Sequence, residues 1–182
     1  SAVCQFPSLE AAVETVILTI QSGVPVARIE LLDDVQMGAC IDYSKLEGYE
    51  RQPTLFFEFH GSETGVGEQA ETVRAIADEF GGAAFQWASK AEDRNRLWQA
   101  RHDAYYAALS LKPGSKGWAS DVCVPISRLA ECILETKKEL DEMGLLAPLV
   151  GHVGDGNFHL SYLVDRDDPV ELAKTKEHNE RM

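Results

Sequence analysis

Basic residues are scarce in this chain: 17 Lys and Arg stand against 30 Asp and Glu, a formal net charge of −13. That balance excludes nucleic acid as a partner, because its phosphates need clustered cations. An anionic ligand must instead be drawn by a few well-placed basic groups. No uninterrupted apolar run approaches the ~18–20 residues of a membrane span, and there is no basic-then-apolar N-terminal signal, so the expectation is a soluble chain with no transmembrane segment. The four cysteines (Cys4, Cys40, Cys123 and Cys132) show no Cys-x-x-Cys spacing. This argues against a zinc ribbon or redox pair, and for free thiols in a reducing, cytoplasmic setting. Also missing are a Gly-x-Ser-x-Gly elbow, a catalytic cysteine pattern and, in the glycine-rich residues 61–67, the Lys-Ser/Thr ending of a phosphate loop. Repeats, low-complexity stretches and flexible linkers are absent too. With 45% apolar residues over 182 positions, the chain reads as one domain, 1–182.

What is present alternates between helix and strand. Ser8 caps a helix whose apolar positions Ala12, Val16, Ile17 and Ile20 keep helical spacing up to Gly23. Residues 26–32 and the aromatic run 54–60 read as strands, the latter bounded by Pro53 and Gly61. Between them, Asp33 or Asp34 caps a short helix. Residues 64–80 form an amphipathic helix, 84–87 a short strand, and 91–111 a long helix closed by Pro113-Gly114. Residues 117–124 read as a strand stopped by Pro125, Ser127 caps a helix to about Met143, and Asp167-Asp168-Pro169 starts a last helix. A tight hairpin between these elements requires antiparallel pairs. The expected class is α+β, a ferredoxin-like antiparallel sheet with helices packed on one face.

The hairpin is the most informative segment: Gly151-His152-Val153-Gly154-Asp155-Gly156-Asn157-Phe158-His159-Leu160. If Asp155-Gly156 is its two-residue turn, His152 lies directly opposite His159, with Cβ atoms about 5 Å apart on one face. Two imidazoles at that spacing can grip one metal ion, of which zinc, manganese and iron all accept imidazole with a carboxylate. Val153 and Phe158 then point into the core, while Asn157 and Ser161 share the histidine face. Gly154 and Gly156 leave the backbone open to a ligand or another domain, which makes Gly154 and Asn157 candidates for cofactor contact.

A second segment is the helix carrying Leu97, Trp98, Arg101, Ala104, Tyr105 and Ala108 on one stripe. Arg101 therefore lies among apolar neighbours and needs an anion. The planar fork suits the carboxylate of a small substrate, with Tyr105 beside it; the alternative is an Arg whose head is paired with a local Asp or Glu. Asp121, a lone carboxylate in the apolar run 118–124, can orient Arg101, His152 or His159, or satisfy amides at a strand end. His60 reads as a core or interface histidine, and Lys116 as exposed.

Four segments together, Phe57-Glu58-Phe59-His60-Gly61, Leu97-Trp98-Gln99-Ala100-Arg101-His102, Ser120-Asp121-Val122-Cys123-Val124-Pro125 and the hairpin, resemble the C-terminal part of FAD-linked D-lactate dehydrogenases of the vanillyl-alcohol-oxidase type. Glycolate oxidase subunits and D-2-hydroxyglutarate dehydrogenases are similar. The resemblance covers nearly the whole chain, and the segment from His152 to His159 is its most specific part. It implies a substrate cap set against a separate N-terminal flavin domain, so that the chain is a fragment of a two-domain flavoenzyme, inactive alone. It further implies that His152 and His159 hold a divalent metal, that Asn157 contacts substrate or tunes the site, and that Arg101 pairs with the substrate carboxylate.

The hydroxyglutarate branch usually has a lysine near Ala119, so its absence leans towards a monocarboxylate such as D-lactate. A glutamate that completes the family's metal site would lie beyond Met182. The expected activity is oxidation of a D-2-hydroxy acid to a 2-oxo acid by hydride transfer to FAD, with an unidentified electron acceptor and a location in the cytoplasm or peripheral to a membrane. Two rival readings are a non-catalytic module that binds a small carboxylate or metal, and a zinc-water hydrolase; against the latter, no third strong ligand sits at helical spacing near either histidine.

Overall fold

The computed structural model describes residues 1–87, 95, 98–99 and 101–182. Eight strands, β1 (Ala2–Gln5), β2 (Val26–Leu32), β3 (Thr54–Phe59), β4 (Ala83–Trp87), β5 (Lys116–Ala119), β6 (Val122–Cys123), β7 (Leu149–Gly151) and β8 (Asn157–Val164), form one sheet in the order β4-β1-β3-β2-β7-β8-β5, with β6 also on β8. Each of these pairings is antiparallel, as the hairpin requires. The helices are α1 (Leu9–Gln21), α2 (Asp34–Ser44), α3 (Glu63–Glu79), α4 (Ala104–Ser110), α5 (Leu129–Met143) and α6 (Pro169–Arg181). Asn95, Trp98, Gln99, Arg101 and His102 are helical as well. The start of the expected helix at Ala91 and its stripe position Leu97 lie outside the described residues.

The α+β antiparallel class is as expected, but helices cover both faces instead of one. Strand alternation explains this, since successive side chains point to opposite sides. Ala2, Cys4, Leu55, Phe57, Ile29, Leu31 and Leu149 join a core with Val13 and Val16 of α1, Val73 of α3 and Ile133 of α5. Their neighbours Val3, Phe56 and Leu32 face the other way, where Met37, Ala39 and Cys40 of α2, Trp98, and Ala104 and Ala107 of α4 cover them. β1 went unread in the sequence: four residues with no alternation, all buried between β3 and β4.

Local signals place most helix starts. Ser8 Oγ accepts from Ala11 N, Asp33 from Gln36 N, and Asp168 from Val170 N and Glu171 N. Ser127 does not act as the expected cap. It sits inside a 3₁₀ turn, Ile126–Arg128, that leads into α5 without a side-chain cap. Tyr162 and His178 tie α6 to the sheet and to α5: His178 Nε2 donates to the Thr136 carbonyl at 3.2 Å, and its Nδ1 meets the Tyr162 hydroxyl at 2.5 Å. Burial pushes the Tyr162 phenol up, so it remains a donor.

The hairpin register differs from the expected one. Val150, not His152, pairs with His159, and Leu149 pairs with Leu160. A loop of four residues replaces the two-residue turn: Val153–Asp155 form a 3₁₀ turn, and Gly156 closes it at φ 76°. The longer loop is favoured because Val153 can then bury itself beside Phe158, both at 0% exposure. A Cβ on Gly156 would lie 2.1 Å from the Val124 carbonyl oxygen, so the chain passes β6 only as glycine.

Two pairs of variants test these contacts by their stability. Asp33 is fully buried and accepts from both Gln36 N at 2.8 Å and Lys137 Nζ at 2.7 Å; burial pushes its carboxyl up, while Lys137 and Gln36 pull against that. Lys137→Met strands the buried carboxylate and is expected to cost about 3 kcal/mol or more in urea unfolding. Arg51→Met, at a pair whose side chains are 60% and 56% exposed, should cost below about 1 kcal/mol. Gly156→Ala is expected to lose about 2 kcal/mol or more in the same assay. Gly67→Ala, inside α3 with open space around it, should instead stabilise by about 0.5–1 kcal/mol.

Candidate active site

The second sheet face carries the site. Arg28, Glu30 and Leu32 of β2 share that face with Phe56, which is the register partner of Glu30. Trp98 packs between Phe56, at a ring distance of 6.0 Å, and the Arg28 guanidinium, 4.0 Å above its ring. One helical turn later comes Arg101. With Trp98 seated, Arg101 reaches Glu30: Nε lies 3.0 Å and Nη2 2.8 Å from Glu30 Oε2. The other oxygen, Oε1, accepts from His152 Nδ1 at 2.7 Å. One carboxylate, 1% exposed, therefore joins the guanidinium of the helix to the imidazole of the hairpin.

His152 and His159 still meet, despite the shifted register. In the observed pairing His152 lies at the position opposite Asn157, where Asn157 N donates to the His152 carbonyl at 3.3 Å. His159 is then the diagonal neighbour, within reach of a ring. The two ring centroids are 5.6 Å apart and nearly perpendicular, at 83°.

The hold on His159 comes from a local rearrangement of the ladder. Residues 117–124 are two short strands instead of one, because at the break Leu160 N donates to Ser120 Oγ at 2.9 Å. The serine hydroxyl takes that amide, and the Ser120 carbonyl accepts from His159 Nδ1 at 3.1 Å. Asp121, expected inside a strand, projects outward with 78% of its side chain exposed. It accepts from Asn157 Nδ2 at 2.7 Å and lies 3.5 Å from His159 Nδ1. Asn157 Nδ2 also donates to the Val122 carbonyl at 3.1 Å.

Both imidazoles thus present the same chemistry. Their Nδ1 atoms face acceptors, a carboxylate on one side and a carbonyl on the other, so Nδ1 carries the hydrogen. In the neutral ring each Nε2 then keeps its lone pair. Histidines that hold a metal show this arrangement, with the non-ligating nitrogen donating to a carboxylate or carbonyl that fixes the ring. The donor set fits a divalent metal in kind. Among the described residues no cluster of three or more His, Cys, Asp or Glu forms a complete site.

The other sequence candidates fall as follows. Tyr105 lies against β5: a Cβ on Gly117 would be 3.0 Å from its ring, and it meets Tyr106 edge-on. At Gly154 the close approach is made by β2, with Ile29 N 3.3 Å from where a Cβ would stand. His60 is exposed and pairs with Glu58 at 3.2 Å, so it is not a core histidine. Lys116 is exposed, as expected. Glu30 was missed in the sequence. The available signal was a lone carboxylate at an inward position of the run 26–32, the same signal that drew attention to Asp121.

A cleft of about 130 Å³ opens beside Glu30 and His152, lined also by Arg28, Gly154 and Asp155. A larger groove of about 660 Å³ between α3 and β4, lined by Phe59, Phe85, Trp87 and Arg74, contains none of the candidate residues. Chemistry, not size, selects between them.

The chain matches the family model "FAD linked oxidases, C-terminal domain" over residues 1–182. It is 48% identical over 182 residues to the probable mitochondrial D-lactate dehydrogenase of Danio rerio, covering 100% of this chain and 36% of that protein. Against the mitochondrial D-lactate dehydrogenase [cytochrome] of Arabidopsis thaliana it is 39% identical, over 100% of the chain and 32% of the relative. Identity falls to 28% with glycolate oxidase subunit GlcD of Escherichia coli, over 94% of the chain and 34% of that subunit. The chain therefore spans about a third of the length of these relatives. In fold it is similar to 4-ethylphenol oxidase from Gulosibacter chungangensis, with a TM-score of 0.68 at 15% identity, covering 99% of this chain and 42% of that one. The match across all 182 residues settles the family: this chain belongs to the C-terminal domains of FAD-linked oxidases.

Proposed function

We propose that this chain is the substrate-facing cap of a flavin-dependent dehydrogenase that oxidises a short D-2-hydroxy acid, D-lactate foremost, to the 2-oxo acid. The observation that carries the reading is the joined set Arg101–Glu30–His152 with His159 beside it, a carboxylate-binding cation and two bare Nε2 atoms on one sheet face. The order β4-β1-β3-β2 of the first four strands, with α1 and α3 on one face, supports the ferredoxin-like reading of the scaffold. The D-lactate dehydrogenase names of the relatives favour the same substrate.

In this reading Arg101 spends its Nε/Nη2 edge on Glu30 and keeps the Nη1/Nη2 end for the substrate carboxylate. Bidentate binding there fixes the acid in one orientation. His152 and His159 would hold the metal (zinc, manganese or iron) through Nε2, and Asn157, braced by Asp121 and the Val122 carbonyl, borders the same place. When bound, the metal would polarise the substrate hydroxyl and ease loss of its proton to a base, and FAD, carried mainly by an N-terminal domain, would take up the hydride from C2. Ala119, exposed at the end of β5, offers no cation for a second carboxylate, which favours a monocarboxylic acid.

His152→Ala in the full-length protein is expected to abolish metal content and D-lactate turnover together; turnover retained in a metal-free variant refutes the assignment. Arg101→Lys replaces the planar fork by a point charge. It should lower kcat/KM for D-lactate about ten- to hundredfold with metal content unchanged, as steady-state kinetics and elemental analysis would read.

A further inference from the structure

Glu30 lies in the middle of β2, 1% exposed, with its two oxygens divided between two functional side chains. We propose that Glu30 is a positioning residue that locks His152 in the Nδ1–H tautomer and holds Arg101 by one edge, so that the metal-binding nitrogen and the carboxylate-binding fork are set by one rigid group. The inference rests on the reading of His152 as a ligand and of Arg101 as the substrate's cation.

A guanidinium has only donors, and the Glu30 carboxylate paired with it has only acceptors. Oε2 takes the Nε and Nη2 hydrogens of Arg101, and Oε1, held in place by that contact, takes a hydrogen from His152 Nδ1. The imidazole is thereby left with a bare Nε2. Because β2 pairs with both β3 and β7, the carboxylate has a fixed backbone beneath it. His152 is half exposed and sits in a loop, so without Glu30 its ring would be free to turn and to exchange tautomers.

Glu30→Gln is nearly the same shape, yet it inverts this logic. The amide oxygen must face Arg101, which offers nothing for an amide NH₂ to donate to. The NH₂ then faces His152 Nδ1, which can meet it only as an acceptor. The ring proton moves to Nε2 and blocks the atom that would hold the metal. His159 is held by the Ser120 carbonyl and serves as an internal control.

The test is ring-¹⁵N spectroscopy of histidine-labelled, metal-free full-length protein, with the His152 signals assigned by their loss in His152→Asn. Protonated and bare ring nitrogens resonate far apart. The wild type should show His152 and His159 both as Nδ1–H, and Glu30→Gln should switch His152 alone to Nε2–H. A wild-type His152 protonated at Nε2, or a variant that keeps the Nδ1–H form, overturns the proposal. If Glu30→Gln does not fold, the wild-type tautomer decides. Calorimetric titration with Zn²⁺ and Mn²⁺ supplies the second readout, where the variant should bind about 10- to 100-fold more weakly. Wild-type protein that binds neither ion while the tautomer switch occurs removes the metal reading and leaves the role of Glu30 standing. Equal affinities with no switch remove the role of Glu30 alone.

Discussion

The buried carboxylate of Glu30 is the constraint around which the rest is arranged. An ionised carboxylate removed from water costs several kcal/mol unless it is paired and fully hydrogen-bonded, and two oxygens leave several lone pairs to satisfy. Arg101 supplies the opposite charge with two contacts, and His152 supplies the third. Each partner comes from a distant part of the chain, so forming the site requires that Trp98 with Arg101 and the β7–β8 hairpin both dock on β2. Trp98, clamped between Phe56 and Arg28, provides the apolar seat for the first; Val153 and Phe158, buried on the opposite face, provide it for the second. The polar network gives direction to packing that hydrophobic burial drives.

Much of this was legible in the sequence where one local rule acted alone. The strands at 26–32 and 54–59, the caps at Ser8, Asp33 and Asp168, and the split of Phe158 from His159 follow from alternation and from capping chemistry. Register was not legible, because Asp155-Gly156 supports both a two-residue turn and the end of a four-residue loop. Burial of Val153 and the close pass at Val124 choose the second, and both are tertiary facts. β1 is likewise a strand only because β3 and β4 flank it. Helices on both faces could have been foreseen from strands such as β3, apolar on consecutive positions in place of alternating, which implies cover on each side.

Glu30 and Asp121 show where sequence reasoning about charges runs out. Each is a single carboxylate in an apolar run, and nothing local separates them. One is dry and paired with a cation; the other is 78% exposed and braces an asparagine. The difference lies in what the topology stacks above each strand: the Trp98 turn over β2, and open surface over the break between β5 and β6. Arg101 illustrates the same limit from the other side. The alternatives for its head, a ligand carboxylate or a protein one, turn out to be compatible, because a guanidinium has two usable edges and Glu30 occupies one.

Exposure rises on both sides of Glu30. Glu30 is 1% exposed, the side chain of Arg101 16%, that of His159 28% and that of His152 49%. The group that does the fixing sits in the driest position, where low dielectric makes its hydrogen bonds strong and its geometry stiff. The two histidine side chains are the more exposed members, His152 at 49% and His159 at 28%. A site made wholly of exposed side chains would be reachable but loose, and one wholly buried would be rigid but closed. A dry carboxylate at the centre with more exposed partners on either side gives both properties at once.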